Sequence, residues 1–182
     1  MIKKILTVIA AIVVIIAAFA VYVALQPAEF RIERTATIAA PPADVFAQVN
    51  DFHKWEAWSP WAKLDPQAKV TFEGAPAGQG AVFTWSGNKD VGEGRMTLAE
   101  SRPNELVRID VAFVQPFEGG NISEFAFRPD GQQTAVTWTI SGRNGFLAKA
   151  FSVFVDMEKM LGGDMEKGLA QMKSVTEAAA GG

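Results

Sequence analysis

The chain has no cysteine among its 182 residues. Disulfides, thiol catalysis and attachment through a lipidated cysteine are therefore excluded, and the redox state of its compartment leaves no mark on it. Histidine is nearly absent as well, His53 being the only one. One imidazole and no thiolate cannot fill the four-coordinate shell of a structural zinc, so no metal site is expected. Positive charge is not in excess. The formal charge is −3, and −5 once Lys3 and Lys4 are set aside. That balance lacks the lysines and arginines needed to neutralise phosphates, so no nucleic acid is expected as partner. It also leaves no polybasic patch for anionic lipid. Gly74–Gly80 and Gly92-x-Gly94 are glycine-rich, but neither opens a helix or runs into Gly-Lys-Ser/Thr, so neither is a phosphate loop. Ser59 has no Gly-x-Ser-x-Gly setting. No cofactor motif and no internal repeat is present. Asn121-Ile122-Ser123 has the form of a glycosylation sequon but falls in an expected strand.

What the chain does have is one long apolar run. Ile5–Leu25 is uninterrupted by charge and follows Lys3 and Lys4. As a helix it spans roughly 30 Å at ~1.5 Å per residue, the thickness of a bilayer core. A helix also satisfies every backbone N–H and C=O internally, as lipid requires. The two lysines favour the cytoplasmic side, which puts residues 1–4 inside and the rest of the chain outside the cytoplasm. Tyr22 marks the outer interface in this reading. The alternative is a signal peptide cleaved near Ala20, since Ala18-Phe19-Ala20 has small residues at cleavage spacing. The retained single-pass anchor is favoured because Val21, Val23 and Leu25 continue the apolar run past that point.

Residues 26–29 form a short linker. About 150 residues follow, enough for one domain with a sizeable core. Phe30–Ala39 reads as a first strand, stopped by Pro41-Pro42. Pro42 and Asp44 suit a helix N-terminus, and Val45, Phe46 and Val49 give Pro42–Asn50 an apolar face. Asp51–Trp58 is a second short helix, ended by Ser59-Pro60. The period then changes to two. Val70–Glu73, Ala81–Trp85, Gly92–Leu98, Val107–Phe113, Phe125–Phe127 and Val136–Ile140 alternate apolar with polar residues, separated by turn signals such as Pro129-Asp130-Gly131. This is an antiparallel meander with one apolar face. A single helix is expected from Phe146 to about Ala178, with Gly162-Gly163 as a kink, and residues 179–182 as a frayed tail. The fold class is α+β. A curved sheet must hide its apolar face, and only the last helix is long enough to cover it.

This order resembles the helix-grip fold of the START-like (SRPBCC) superfamily, in its polyketide cyclase/dehydrase-like branch. The residues carrying the resemblance are Ile38-x-Ala40-Pro41-x-x-x-Val45-Phe46, Asp51-Phe52-x-x-Trp55-x-x-Trp58-Ser59-Pro60-Trp61 and Val91-Gly92-Glu93-Gly94-Arg95-Met96, with the long helix from Phe146. It spans residues 30–178. It implies an apolar cavity between sheet and last helix, and a range of activities from lipid transfer to cyclisation. The N-terminal anchor departs from the soluble pattern of the group.

Trp55, Trp58 and Trp61 hold three of the five tryptophans. They either rim a pocket or pin the short helices to the sheet, and pinning is the commoner use of clustered aromatics. The candidate ligand-binding set is Trp55, Trp58, Phe83, Trp85, Met96, Ile109, Val111, Phe113, Phe125, Trp138, Phe154 and Met157, although much of this set must be core in any fold. His53, between Asp51 and Glu56, is the one weak candidate for proton transfer; an exposed helical histidine is the plainer reading. Arg34 shares the parity of Ile32 and Ile38, but an edge or outward position is expected for it. Three functions follow: a membrane-anchored module binding a hydrophobic small molecule or lipid; a cyclase/dehydratase-like enzyme, implied by the resemblance alone; and an extracytoplasmic protein-interaction module with a filled interior.

Overall fold

The computed structural model describes residues 1–115 and 118–180. The chain begins with helix α1 (Ile2–Leu25), followed by β1 (Glu29–Ile38), α2 (Pro42–Asn50), a 3-10 turn at Phe52–Lys54 and α3 (Trp55–Trp58). Six strands then run in succession: β2 (Lys69–Gly74), β3 (Ala81–Ser86), β4 (Glu93–Arg102), β5 (Leu106–Gln115), β6 (Gly119–Asp130) and β7 (Gln133–Arg143). Helices α4 (Phe146–Ser152) and α5 (Met157–Ala180) complete the fold.

The sheet is antiparallel throughout, in the order β1-β7-β6-β5-β4-β3-β2. Strands β2 to β7 are a simple meander, as the alternation predicts. β1 returns to pair with β7 because α2 and α3 carry the chain across the concave face between β1 and β2. α5 crosses β1 and packs on α3 and α2. Met165, Leu169 and Met172 of α5 meet Val45, Phe46 and Val49 of α2 over Leu98, Val107, Phe125 and Val136. Each such side chain contributes roughly 1.5–3 kcal/mol on burial. The convex face is wet. There Arg108 bridges Glu100 and Glu124 on the flanking strands, at 2.9 Å each, a cross-strand charge ladder. Its carboxylate partners, Glu124 first, raise the Arg108 pKa above the ordinary arginine value.

Two expectations are corrected. The helix expected from Phe146 to Ala178 is two helices, interrupted at 153–156. Asp156 Oδ1 accepts the Lys159 N–H at 3.0 Å, an N-cap that starts α5 afresh. Gly162-Gly163 do not break α5. Arg34 lies on the edge strand β1 but its side chain is not turned outward: its Nε donates to Glu166 at 2.6 Å and its Nη2 to Glu158 at 2.8 Å, so it ties β1 to the first turns of α5. Those bonds, Glu158 first, raise its pKa. Gly162 is where α5 makes room, since a Cβ there would collide with the Arg34 guanidinium. Of the tail 179–182, Ala179 and Ala180 belong to α5, and 181–182 lie outside the described residues.

α1 is long and apolar enough to cross a membrane. Its side chains are exposed except near the domain, where Val23 is fully buried. There α4 runs antiparallel beside it. The Phe154 ring, just past α4, lies 5.8 Å from that of Phe19, and Lys149 Nζ donates to the Ala24 carbonyl at 2.7 Å.

Candidate functional site

The two-residue period of the strands points alternate side chains at the concave face. Over half of that face they meet α2 and α5 and form the core. Over the other half they line a cavity of about 670 Å³. Its wall is built strand by strand: Phe83 and Trp85 from β3, Met96 from β4, Val111 and Phe113 from β5, Asn121 and Ser123 from β6, Trp138 and Ile140 from β7. Phe52, Trp55 and Trp61 close one side, with Val70 and Phe72 of the edge strand β2 and Leu161 of α5.

Glycine shapes this wall. Gly94 sits opposite Trp85 in the β3–β4 register, and a Cβ there would collide with the indole. The ring therefore lies flat across β4, and its Nε1 donates to the Val91 carbonyl at 3.0 Å. The register shift between Glu93 and Gly94 bends the strand at that point. Gly92, just before it, has φ of +64°, a conformation other residues reach only with strain.

The indole N–H groups of Trp55, Trp85 and Trp138 in the wall are satisfied from within. Trp138 Nε1 donates to Ser123 Oγ at 2.8 Å, both residues being buried. Trp55 Nε1 donates to the Val49 carbonyl and Trp58 Nε1 to that of Gln48, at 3.0 Å each. Among the described residues no buried side-chain nitrogen or oxygen lacks a partner. Charge is confined to the rim, at Glu56, Lys63, Asp65 and Asp90. Asp65 accepts backbone N–H bonds from Gln67 and Asn88, which laces the 59–68 segment to the β3–β4 connection. A cavity with a neutral, aromatic wall and a charged lip suits a ligand with an apolar body.

His53 is on the rim. Its Nδ1 is 2.9 Å from Asp51 Oδ1, and its ring stacks on Phe72 with centroids 4.0 Å apart. The side chain is 54% exposed. Asp51 also accepts the His53 backbone N–H, so it caps the 3-10 turn as well as orienting the imidazole. Among the described residues there is no cluster of acidic and imidazole groups able to hold a metal ion.

Of the candidate ligand-binding residues, Trp55, Phe83, Trp85, Met96, Val111, Phe113 and Trp138 come together on the cavity wall. Trp58, Ile109 and Phe125 do not: they are packed in the core, with Trp58 and Trp138 both edge-on or stacked against Phe125. Phe154 is 77% exposed and turns to α1 instead, and Met157 lies outside the wall. Sequence reasoning missed Phe52, Phe72, Asn121, Ser123, Ile140 and Leu161. Asn121 and Ser123 did leave a signal, for they share the parity of Phe125 and Phe127 and are polar residues on an apolar face.

Residues 29–177 match the model of a family described as polyketide cyclase/dehydrase and lipid transport. No curated protein matches the chain in sequence. Solved structures share its fold. The solution structure of the Aha1 dimer from Colwellia psychrerythraea aligns with a TM-score of 0.59 at 17% identity, over 81% of this chain and 96% of that one. The di-domain ARO/CYC StfQ from the steffimycin biosynthetic pathway aligns with a TM-score of 0.63 at 13% identity, over 85% of this chain and 53% of that one. Protein CV1439 from Chromobacterium violaceum gives 0.57 at 16% identity, over 84% and 99%.

Proposed function

The chain belongs to the polyketide cyclase/dehydrase and lipid transport family, and from that premise we propose that it is a membrane-tethered module that holds a lipid-like ligand in its cavity. The observation that carries this reading is the wall itself: about 670 Å³ lined mainly by aromatic and aliphatic side chains, with the Trp55, Trp85 and Trp138 N–H groups already paired within the protein. Such a wall offers an acyl chain or fused-ring body dispersion contacts and relief from water. Asn121 and Ser123 supply the polar contacts that fix orientation. α1 is the anchor, with Lys3 and Lys4 in the cytoplasm and the domain outside it. Tethering keeps the cavity within a few nanometres of its ligand's source and raises the effective concentration accordingly.

The test is to extract the full chain in mild detergent and record its native mass spectrum. The expected result is a discrete added mass of one lipid-sized ligand, released on denaturation. A bare polypeptide mass, with no uptake from added lipid, would overturn the reading.

The second reading is an enzyme of the cyclase/dehydratase type, favoured by the His53–Asp51 pair at the rim. There the carboxylate would orient an imidazole that moves a proton on a ligand in the cavity. His53→Ala separates the two readings: a carrier keeps its ligand affinity and loses no turnover, whereas the enzyme keeps affinity and loses turnover.

A further inference from the structure

The strand registers place the cavity and α1 at the same end of the sheet. β1 begins at Glu29, directly after α1, and Glu29 pairs with Arg143 at the end of β7. Gly142 pairs with Asn121, Phe113 with Gly119, Glu93 with Gln115 and Ser86 with both Glu93 and Lys69. These are the strand ends from which Trp85, Phe113 and Asn121 line the cavity. The core fills the opposite half of the sheet.

Exposed apolar side chains gather at that same end. α4 and the elbow after it carry Phe146, Leu147, Phe151 and Phe154, which are between 51% and 77% exposed. Residues 146, 147, 150 and 151 lie on one side of α4, with Ala150 between the large side chains, and Phe154 follows in the turn after it. Leu64 and Met160 are exposed as well, at 49% and 48%. The far end is different: its hairpin turns present Glu73, Gln79, Arg102, Glu105, Asp130 and Gln132, all exposed. Four large exposed apolar side chains over so short a stretch, α4 and the turn after it, mark an interaction surface.

The occupant is fixed by continuity with α1. Lys149 contacts Ala24 and Phe154 contacts Phe19, so α4 descends along the last turns of α1. Phe19 is six residues before Leu25, roughly 9 Å at ~1.5 Å per residue. If α1 spans the bilayer, Phe154 lies at that depth below its end, which is the depth to which interfacial helices bury their apolar faces. Lys149, the one cation of α4, is turned away from that apolar side and spent on the α1 carbonyl.

We propose that the anchor end of the sheet is a lipid-contacting face: α4 and its elbow insert beside α1 into the outer leaflet, and the cavity loads from the bilayer rather than from water. This rests on the reading of α1 as a membrane span. The absence of native cysteine allows single-cysteine variants Ile15→Cys, Leu147→Cys, Phe151→Cys and Gln132→Cys of the full chain to be labelled with bimane. The labelled chains are inserted in phosphatidylcholine vesicles, and quenching by lipids brominated on the acyl chain is measured. The expected result is strong quenching at positions 15, 147 and 151 and none at 132. Quenching at 15 with none at 147 and 151 overturns the lipid-contacting face while leaving the anchor intact. No quenching at 15 overturns the anchor reading and this proposal with it. A second arm uses the double variant Leu147→Ser/Phe151→Ser, whose surface changes spare the core. Uptake of a fluorescent lipid from vesicles should slow several-fold, while uptake of the same lipid from detergent micelles stays as in the wild type; equal rates from vesicles overturn loading from the bilayer.

Discussion

The Lys149 ammonium donates a 2.7 Å hydrogen bond to the Ala24 carbonyl in the last turn of α1. The last four carbonyls of a helix have no partner within it and carry the negative end of its dipole. A cation from α4 satisfies one of them, and Val23 is buried alongside. The junction between α1 and the rest of the chain is therefore packed and capped, although only a few residues connect them. Replacing Lys149 with Met removes the cap while keeping much of the stem. The expected loss is about 0.5–2 kcal/mol, and the linker at 26–28 becomes cleavable by added protease. Unchanged resistance to proteolysis in detergent would contradict the role given to Lys149.

Arg34 and Gly162 form a pair whose effects change sign. In the wild type, Gly162→Ala drives the guanidinium off Glu158 and Glu166, and the urea midpoint falls. In an Arg34→Ala background the obstruction is gone. The same change then only replaces a helical glycine with alanine, which stabilises by about 1 kcal/mol. A double-mutant cycle reads the inversion directly. Additive effects would show that Gly162 is not there for Arg34.

Glu177 ties the end of α5 to the end of β1. It accepts 2.6 Å bonds from Lys173 Nζ and from the Ala39 N–H, and these, the lysine first, hold its pKa below the ordinary glutamate value. A carboxyl depressed in the folded state stabilises the fold above its unfolded value of ~4.3 and loses that contribution as pH falls through the folded value. Glu177→Gln should lower the urea midpoint at neutral pH, and its gap from the wild type should close on acidification below about pH 4. A gap that persists unchanged in acid would contradict the assignment.

Ser123→Ala strands the Trp138 Nε1–H in the cavity wall. An unpaired buried donor costs about 1–3 kcal/mol, read as a lower melting temperature. A bound ligand with an oxygen near that point should restore part of the loss. No destabilisation would mean that water reaches the indole.

The sequence carried the large features of this fold plainly. Ile5–Leu25 is apolar without interruption, the strands alternate cleanly, and Pro42 with Asp44 opens α2 where it should. Other features depend on tertiary contacts that a local pattern does not encode. The break at 153–156 interrupts an apolar stripe that is continuous in sequence. Only Asp156, at capping distance from Lys159, betrays it. Arg34 looks like a misplaced charge on an inward parity until α5 brings two carboxylates and a glycine to it. The candidate site was legible as a face and not as a place. Trp85 and Ile109 point the same way from the sheet, and the period cannot tell them apart. Position along the strand decides: Ile109 lies in the half covered by α2 and α5, Trp85 in the half they leave open.

The claim that the cavity holds an apolar ligand is tested most directly by titrating the full chain, in detergent, with cis-parinaric acid. Energy transfer from the tryptophans of the cavity wall reports its arrival. The account predicts saturable one-to-one binding in the wild type, and at least about tenfold weaker binding, equivalent to ~1.4 kcal/mol, in Val111→Trp, whose added indole would take up cavity space. Transfer that rises without saturation, or that is the same in Val111→Trp while both proteins remain folded, would contradict it.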